Sequence, residues 1–177
     1  MQPSTVVLDR DDMRRTLVRI AHEIVEKNAD GSIALVGIHR RGAVLAQRLH
    51  ALTSELLAQV VPLGYVDISF YRDDYAKEGL KHDPKRTRIP FEVEGRDLLL
   101  VDDVLYTGRT VRAAMNELFD YGRPRSIALV VLADRGGRQL PIAAQHAGAQ
   151  IEVPAGKRLR LKRAANGKLS LELEDAS

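Results

Sequence analysis

Residues 98–111 read LLLVDDVLYTGRTV: four apolar residues, two adjacent aspartates, and a Thr-Gly-Arg-Thr turn that begins four residues after the second aspartate. The apolar run has the length and branching of a buried strand, and the following RTVRAAMNELFDYG has helical spacing up to Gly122. A strand, a glycine turn and a helix in that order place Asp102 and Asp103 in the crevice at a strand's carboxyl end, where open α/β sheets bind ligands. The turn supplies Gly108 for close backbone approach, hydroxyls from Thr107 and Thr110, and the free N–H groups of a helix start. It suits a phosphate, whereas carboxylates repel phosphate and accept hydrogen bonds from hydroxyls, so the two halves address different parts of one ligand. A ribose 5-phosphate with a free 2,3-diol satisfies both. A Walker loop is excluded for lack of Gly-Lys-Ser/Thr, and a dinucleotide site would put its acid about 20 residues after the glycines. The bland alternative is that the aspartates cap a loop and Thr-Gly-Arg-Thr merely opens a helix.

The rest of the chain repeats the pattern. SIALVGI and SIALVVLAD read as buried strands and YVDISFYR as a further strand. DDMRRTLVRIAHEIVEKN reads as a helix capped by its aspartates, with Met13, Leu17, Ile20, Ala21, Ile24 and Val25 on one face. HRRG leads into a second helix, AVLAQRLHALTSELLAQV. Strands alternating with helices predict a mostly parallel sheet covered on both faces. The tail KRLRLKRAANGKLSLELED alternates around Asn166-Gly167, the signal of a two-residue hairpin. RDDYAKEGLKHDPKRTRIPFEVEGRD has no periodicity, and Arg72 to Arg88 holds six Lys or Arg and four Asp or Glu, which leaves a lid over an anionic ligand or a solvated insertion.

With 177 residues and 45% hydrophobic composition, one domain with one substantial core is expected. The chain has no cysteine, which excludes disulfides and thiolate metal sites and agrees with a reducing compartment. No apolar run approaches the roughly 18 residues of a membrane span, and MQPSTVVLDRDD turns acidic where a secretion signal is apolar, so a cytoplasmic protein is expected. A net charge of +3 does not by itself mark a nucleic-acid binder.

LLLVDDVLYTGRTV resembles the 5-phosphoribosyl-1-pyrophosphate (PRPP) motif of type I phosphoribosyltransferases, and VDDVLYTGRTVRA is close to its form in the PyrR family. RRTLVRIAHEIVEKN, LVGIHRRG, DISFYRDD, GRPRSIALVVLADRG and LPI resemble PyrR segments in the same order, from about Arg14 to Ile142. The resemblance implies one type I phosphoribosyltransferase domain over 1–177: a central, mostly parallel sheet flanked by helices, with a C-terminal β-hairpin. It also implies a flexible lid at about 72–90 and a small hood from the N-terminal segment and the residues after about 134.

It further implies transfer of the phosphoribosyl group of PRPP to uracil, giving UMP and pyrophosphate, with UMP-dependent binding to pyrimidine-operon leader RNA as a second function. The alternatives are transfer to uracil or another base without RNA regulation, and a non-catalytic sensor of PRPP or UMP. By resemblance, Asp102 and Asp103 hold the ribose hydroxyls, and Val104, Leu105, Tyr106, Thr107, Gly108, Arg109 and Thr110 complete the PRPP site. His39, Arg40, Arg41 and Gly42 receive pyrophosphate, with Arg40 in place of the family's threonine. Arg72 acts from the lid, with Lys81, Arg86 and Arg88 unranked. Asp134, Arg135 and Gly136 flank the base. Mg2+ accompanies PRPP without direct protein ligands, and a homodimer or higher oligomer is implied. For RNA, Arg15, Arg19 and His22 form one stripe of a helix. Val18 stands there where the family has threonine and is expected to be an exposed apolar side chain. Gly137, Ala143 and Ala149 replace a histidine, an arginine and a lysine that suit phosphate contacts, and Lys157, Arg158, Arg160, Lys162 and Arg163 are the compensating candidates.

Overall fold

A computed structural model describes residues 4–69 and 87–176 of the chain. The elements run β1 (Thr5–Leu8), α1 (Arg10–Lys27), β2 (Ile33–Ile38), α2 (Arg41–Leu57), β3 (Leu63–Val66), β4 (Asp97–Leu105), α3 (Arg109–Phe119), β5 (Ser126–Asp134), β6 (His146–Gln150), β7 (Lys157–Arg163) and β8 (Leu169–Asp175). Strands β3-β2-β4-β5-β6 form a five-stranded sheet in that order, every pair parallel. A second sheet, β1-β8-β7, is antiparallel.

The unbroken apolar runs follow from burial on both faces. Alternate residues of a strand point to opposite sides, so Leu35, Leu99, Val101, Val130 and Leu132 pack with α1 and α2. Val36, Leu98, Leu100, Leu129 and Val131 pack instead with Val111, Ala114 and Leu118 of α3. The first cluster also takes in Leu159, Leu161, Leu169 and Leu171, which seats the second sheet against the same core.

Five sequence expectations are corrected. The cap of α1 is Asp9, whose side chain accepts from the N–H groups of Asp11 and Asp12 while Asp12 reaches back, a capping box one turn-start earlier than the Asp11-Asp12 pair suggested. Val25 is only half-buried. The third strand ends at Val66, before Asp67, and α3 ends at Phe119, short of Gly122. In the hairpin, Gly167 has φ +79 and its N–H donates to Ala164 O, while Ala164 N–H donates to Lys168 O. Asn166 keeps negative φ, so this is the three-residue turn with a left-handed glycine and not the mirror-image two-residue turn.

Sequence reading missed β6, because HAGAQ has neither β-branched residues nor alternation. Its glycine explains its presence: a Cβ on Gly148 would lie 2.3 Å from Leu132 O and 2.6 Å from Thr16 Cγ2, so only glycine lets α1 and β5 close on this edge strand. Arg19 of α1 then donates to Gly148 O at 2.6 Å, occupying an edge carbonyl.

Leu171 is fully buried at the junction of the two sheets. Truncation to alanine should destabilise by about 2–5 kcal/mol through lost burial and cavity formation. Urea unfolding reads it as a lower midpoint at unchanged slope.

Candidate functional site

The parallel pairing of β2 with β4 sets Gly37 opposite Val101, so both strands end on the same edge of the sheet. The turns that follow them face each other across a crevice of about 310 Å3. His39, Arg40 and Arg41 line it from one side, Asp102, Asp103, Val104 and Thr110 from the other, and Ile68 and Ser69 from beyond β3. The approach is close enough to require glycine: a Cβ on Gly42 would stand 2.4 Å from Val101 O. The His39–Arg40 peptide bond is cis, His39 N–H donates to Val66 O, and the His39 and Tyr65 ring centroids lie 5.3 Å apart.

Two helices begin at this crevice, and neither N-cap residue supplies a side-chain cap or is followed by an acidic first turn: α2 starts after Arg40, and α3 after Gly108, where Thr107 Oγ1 accepts the Arg109 N–H at 3.2 Å. α1, by contrast, has a full aspartate capping box. Helix starts without side-chain caps leave N–H groups and positive dipole ends available to an anion. Gly108 has φ +92, and an added Cβ would meet Ile142 Cγ1 at 3.0 Å.

Carbonyls of the turn are committed elsewhere. Leu105 O accepts from Arg135 N–H, Tyr106 O from Arg138 Nη1 at 2.9 Å, and Thr107 O from the N–H groups of Gln139 and Leu140. The loop after β5 therefore takes three consecutive oxygens away from the ligand side. Arg109 Nε donates to Gln139 Oε1 across the same seam.

The two aspartates differ. Asp102 is 6% exposed, and its Oδ1 accepts Asp103 N–H at 2.9 Å. Burial, reinforced by the neighbouring Asp103 charge, raises its pKa well above the ordinary value of 3.8. Asp103 has Arg41 Nη1 4.0 Å from its Oδ2. Among the described residues no group of three His, Asp or Glu side chains is placed to hold a metal ion; Asp102 and Asp103 are the carboxylates that face the crevice.

At the end of β5, Asp134 pairs with Arg138 and accepts Gly136 N–H at 3.0 Å. Burial raises its pKa, but these partners outweigh burial and the net shift is downward. Arg135 is not its ion-pair partner; the guanidinium lies 4.0 Å over the Tyr106 ring. Gly137, at φ +78, has room for no Cβ, which would meet Tyr106 Cε2 at 2.5 Å. Arg138 and Gln139 are the residues sequence reading passed over; their role depends on a contact 32 residues back along the chain.

The cations considered for RNA are largely engaged. Arg15 pairs with Asp12 at 2.7 Å and Arg19 with Glu23 at 2.6 Å, while His22 is exposed. On the hairpin, Lys157 pairs with Asp175, Arg158 and Arg160 with Glu174, and Lys162 with Glu172. Val18 is half-buried, not exposed. It lines an apolar cavity of about 410 Å3 between α1, α2 and the hairpin turn, away from the aspartates. Arg88 pairs through its backbone with Tyr65. Arg72, Lys81 and Arg86, and most of the expected lid, lie outside the described residues.

Removing the buried charge should stabilise the ligand-free protein. The folded state holds the Asp102 proton more tightly than the unfolded chain, so wild type loses this contribution as pH rises from about 4 through the raised folded value. Asp102→Asn escapes that loss, and its melting temperature at pH 7 should exceed wild type by about 3 °C.

Comparison with known proteins agrees with this geometry. The phosphoribosyl transferase domain family matches residues 7–153. A protein of Roseiflexus sp. (strain RS-1) named bifunctional protein PyrR is 51% identical over 154 residues, covering 86% of this chain and 84% of its own. The bifunctional protein PyrR of Deinococcus deserti is 46% identical over 177 residues, covering 98% and 96%. Among solved structures, the hypoxanthine phosphoribosyltransferase of Trypanosoma cruzi superposes with a TM-score of 0.71 at 16% identity, covering 98% of this chain and 97% of that one. A hypoxanthine-guanine phosphoribosyltransferase of Bacillus anthracis gives 0.67 at 15%, covering 87% and 85%. The solved structures share the type I phosphoribosyltransferase fold. With two helix starts and an aspartate pair on one sheet edge, and 46–51% identity to such relatives over most of its length, the chain belongs to the PyrR family of phosphoribosyltransferases.

Proposed function

We propose that the crevice binds PRPP, with Asp102 and Asp103 on the ribose diol, the N–H groups and hydroxyls of Tyr106 to Thr110 on the 5-phosphate, and Arg40, Arg41 and the start of α2 on pyrophosphate. The protein is a uracil phosphoribosyltransferase and pyrimidine regulator of the PyrR type, acting as one transferase unit over 1–177. The observation that carries the reading is the placement of two uncapped helix starts either side of one aspartate pair. A diol flanked by two anions fits it, because each charge meets a helix start and the hydroxyls meet acceptors.

In transfer, the bond from C1 of PRPP to the pyrophosphate oxygen breaks as the bond from C1 to N1 of uracil forms, and the N1 proton passes to the departing pyrophosphate or to water. Positive charge develops on the ribose ring, and the Asp103 carboxyl faces it from the diol side. Arg41 draws the leaving pyrophosphate, and the loop of Asp134, Arg135 and Gly136 presents the base. Mg2+ bound with PRPP would neutralise pyrophosphate charge, with Asp102 and Asp103 as the nearby carboxylates. Cytoplasmic action and a homodimer or higher assembly complete the reading.

A second reading, transfer without RNA control, is favoured by the ion pairs of Arg15 and Arg19, which a phosphate has to displace. Titration of leader RNA at fixed salt separates the two: UMP-enhanced binding supports the bifunctional protein, and weak, UMP-independent binding supports the enzyme alone.

For the transfer itself, the measurement is UMP formation from PRPP and uracil. Asp102→Asn with Asp103→Asn should lower it at least 1,000-fold, roughly the cost of losing two charge-assisted contacts to the diol. Unchanged turnover contradicts the diol assignment.

A further inference from the structure

We infer that Arg138 is a positioning residue that locks the base loop in register with the phosphate turn, so that one rigid unit reads both ends of a nucleotide; the inference rests on the PRPP and uracil reading above. Its guanidinium is divided among three segments. Nε donates to Ile142 O at 2.9 Å, at the far end of the base loop. Nη1 donates to Tyr106 O at 2.9 Å, in the phosphate turn, and Nη2 to the Asp134 carboxylate at the end of β5. The side chain is 25% exposed and its carboxylate partner 11%, so the bonds to Ile142 and Asp134 are partly buried, while that to Tyr106 lies at the surface.

The planar fork is what makes the lock specific. Arginine offers several donors in fixed relative directions, and here they fix the loop's exit, the strand end from which it departs and the turn beneath it. Other contacts across the seam are backbone N–H groups of Arg135, Gln139 and Leu140, the Arg135 guanidinium over the Tyr106 ring, and Arg109 on Gln139. Arg138 differs from these in joining a carbonyl of the phosphate turn to the carboxylate at the strand end. Gly136 and Gly137, at φ +70 and +78, leave the backbone between Asp134 and Arg138 few restraints of its own. The Asp134–Arg138 pair supplies the closure that those glycines omit.

The lock has a distinctive consequence. A ligand that touches only the phosphate turn and the diol site gains little from it, whereas a ligand that also meets the base loop gains fully. The test compares ribose 5-phosphate with UMP by calorimetric titration, in wild type, Arg138→Gln, Arg138→Lys and Asp134→Asn, with melting temperatures alongside. Arg138→Gln should weaken UMP roughly 10- to 100-fold and ribose 5-phosphate less than about threefold. In kinetics the loss should fall on KM for uracil more than on kcat. Arg138→Lys, which keeps the charge and a single donor group, should recover part of the UMP affinity, and Asp134→Asn, which keeps both carbonyl contacts, should lie between Arg138→Gln and wild type. Equal losses for both ligands, or Arg138→Gln behaving as wild type, overturns the inference while leaving the uracil reading intact. Failure of the wild-type protein to bind UMP overturns the uracil reading, and this inference with it.

Discussion

Parallel pairing of β2 with β4 is the constraint on which the site depends. With Gly37 opposite Val101, both strands run to the same edge of the sheet, β2 ending at Ile38 and β4 at Leu105, and the chain leaves each through a turn into a helix there. The two turns are then held together at van der Waals limits by Gly42 against Val101 O and Asp102 Cα. Any side chain at position 42 would push α2 away from β4 and open the crevice. The core serves this geometry: each face of the sheet is sealed by its own helices, so the central strands are rigid where they end.

Above this frame, polar groups are sorted by sign. Carbonyls of Leu105, Tyr106 and Thr107 are consumed by the loop after β5, and α2 and α3 begin without side-chain caps. The result is a surface of donors around two acceptors, Asp102 and Asp103. Stability is given up to make it. Asp102 is held out of solvent beside a like charge, and the N-cap residues of both helices, Arg40 and Gly108, lack the side-chain cap that elsewhere contributes about 1 kcal/mol. Such local violations of folding rules mark the place where a ligand completes the structure.

Much of this was legible in the sequence, and what was not has a physical cause. LLLVDDVLYTGRTV announced its strand, turn and helix because a strand buried on both faces must be apolar throughout and a close-approach turn must carry glycine. β6 was invisible because its packing against Thr16 and Leu132 selects small residues, which carry no strand signal. The Asn166-Gly167 turn was recognised but mistyped, since Asn-Gly is compatible with two turn geometries and the cross-strand pairs of β7 and β8 decide between them. Asp134 and Arg135 are neighbours in the chain, yet Asp134 takes Arg138 while Arg135 lies on Tyr106. The basic stretches announced charge but not its availability, because their partners on α1 and β8 are set by helix spacing and strand register.

The most direct test of the account is an amide-resolved NMR titration of the protein with PRPP and Mg2+. The account predicts that the largest shifts fall on the backbone amides of Tyr106 to Thr110 and of Arg40 to Ala43, the two sets of donors that face the crevice. Shifts confined to other surfaces, with those amides unmoved at saturation, would contradict it.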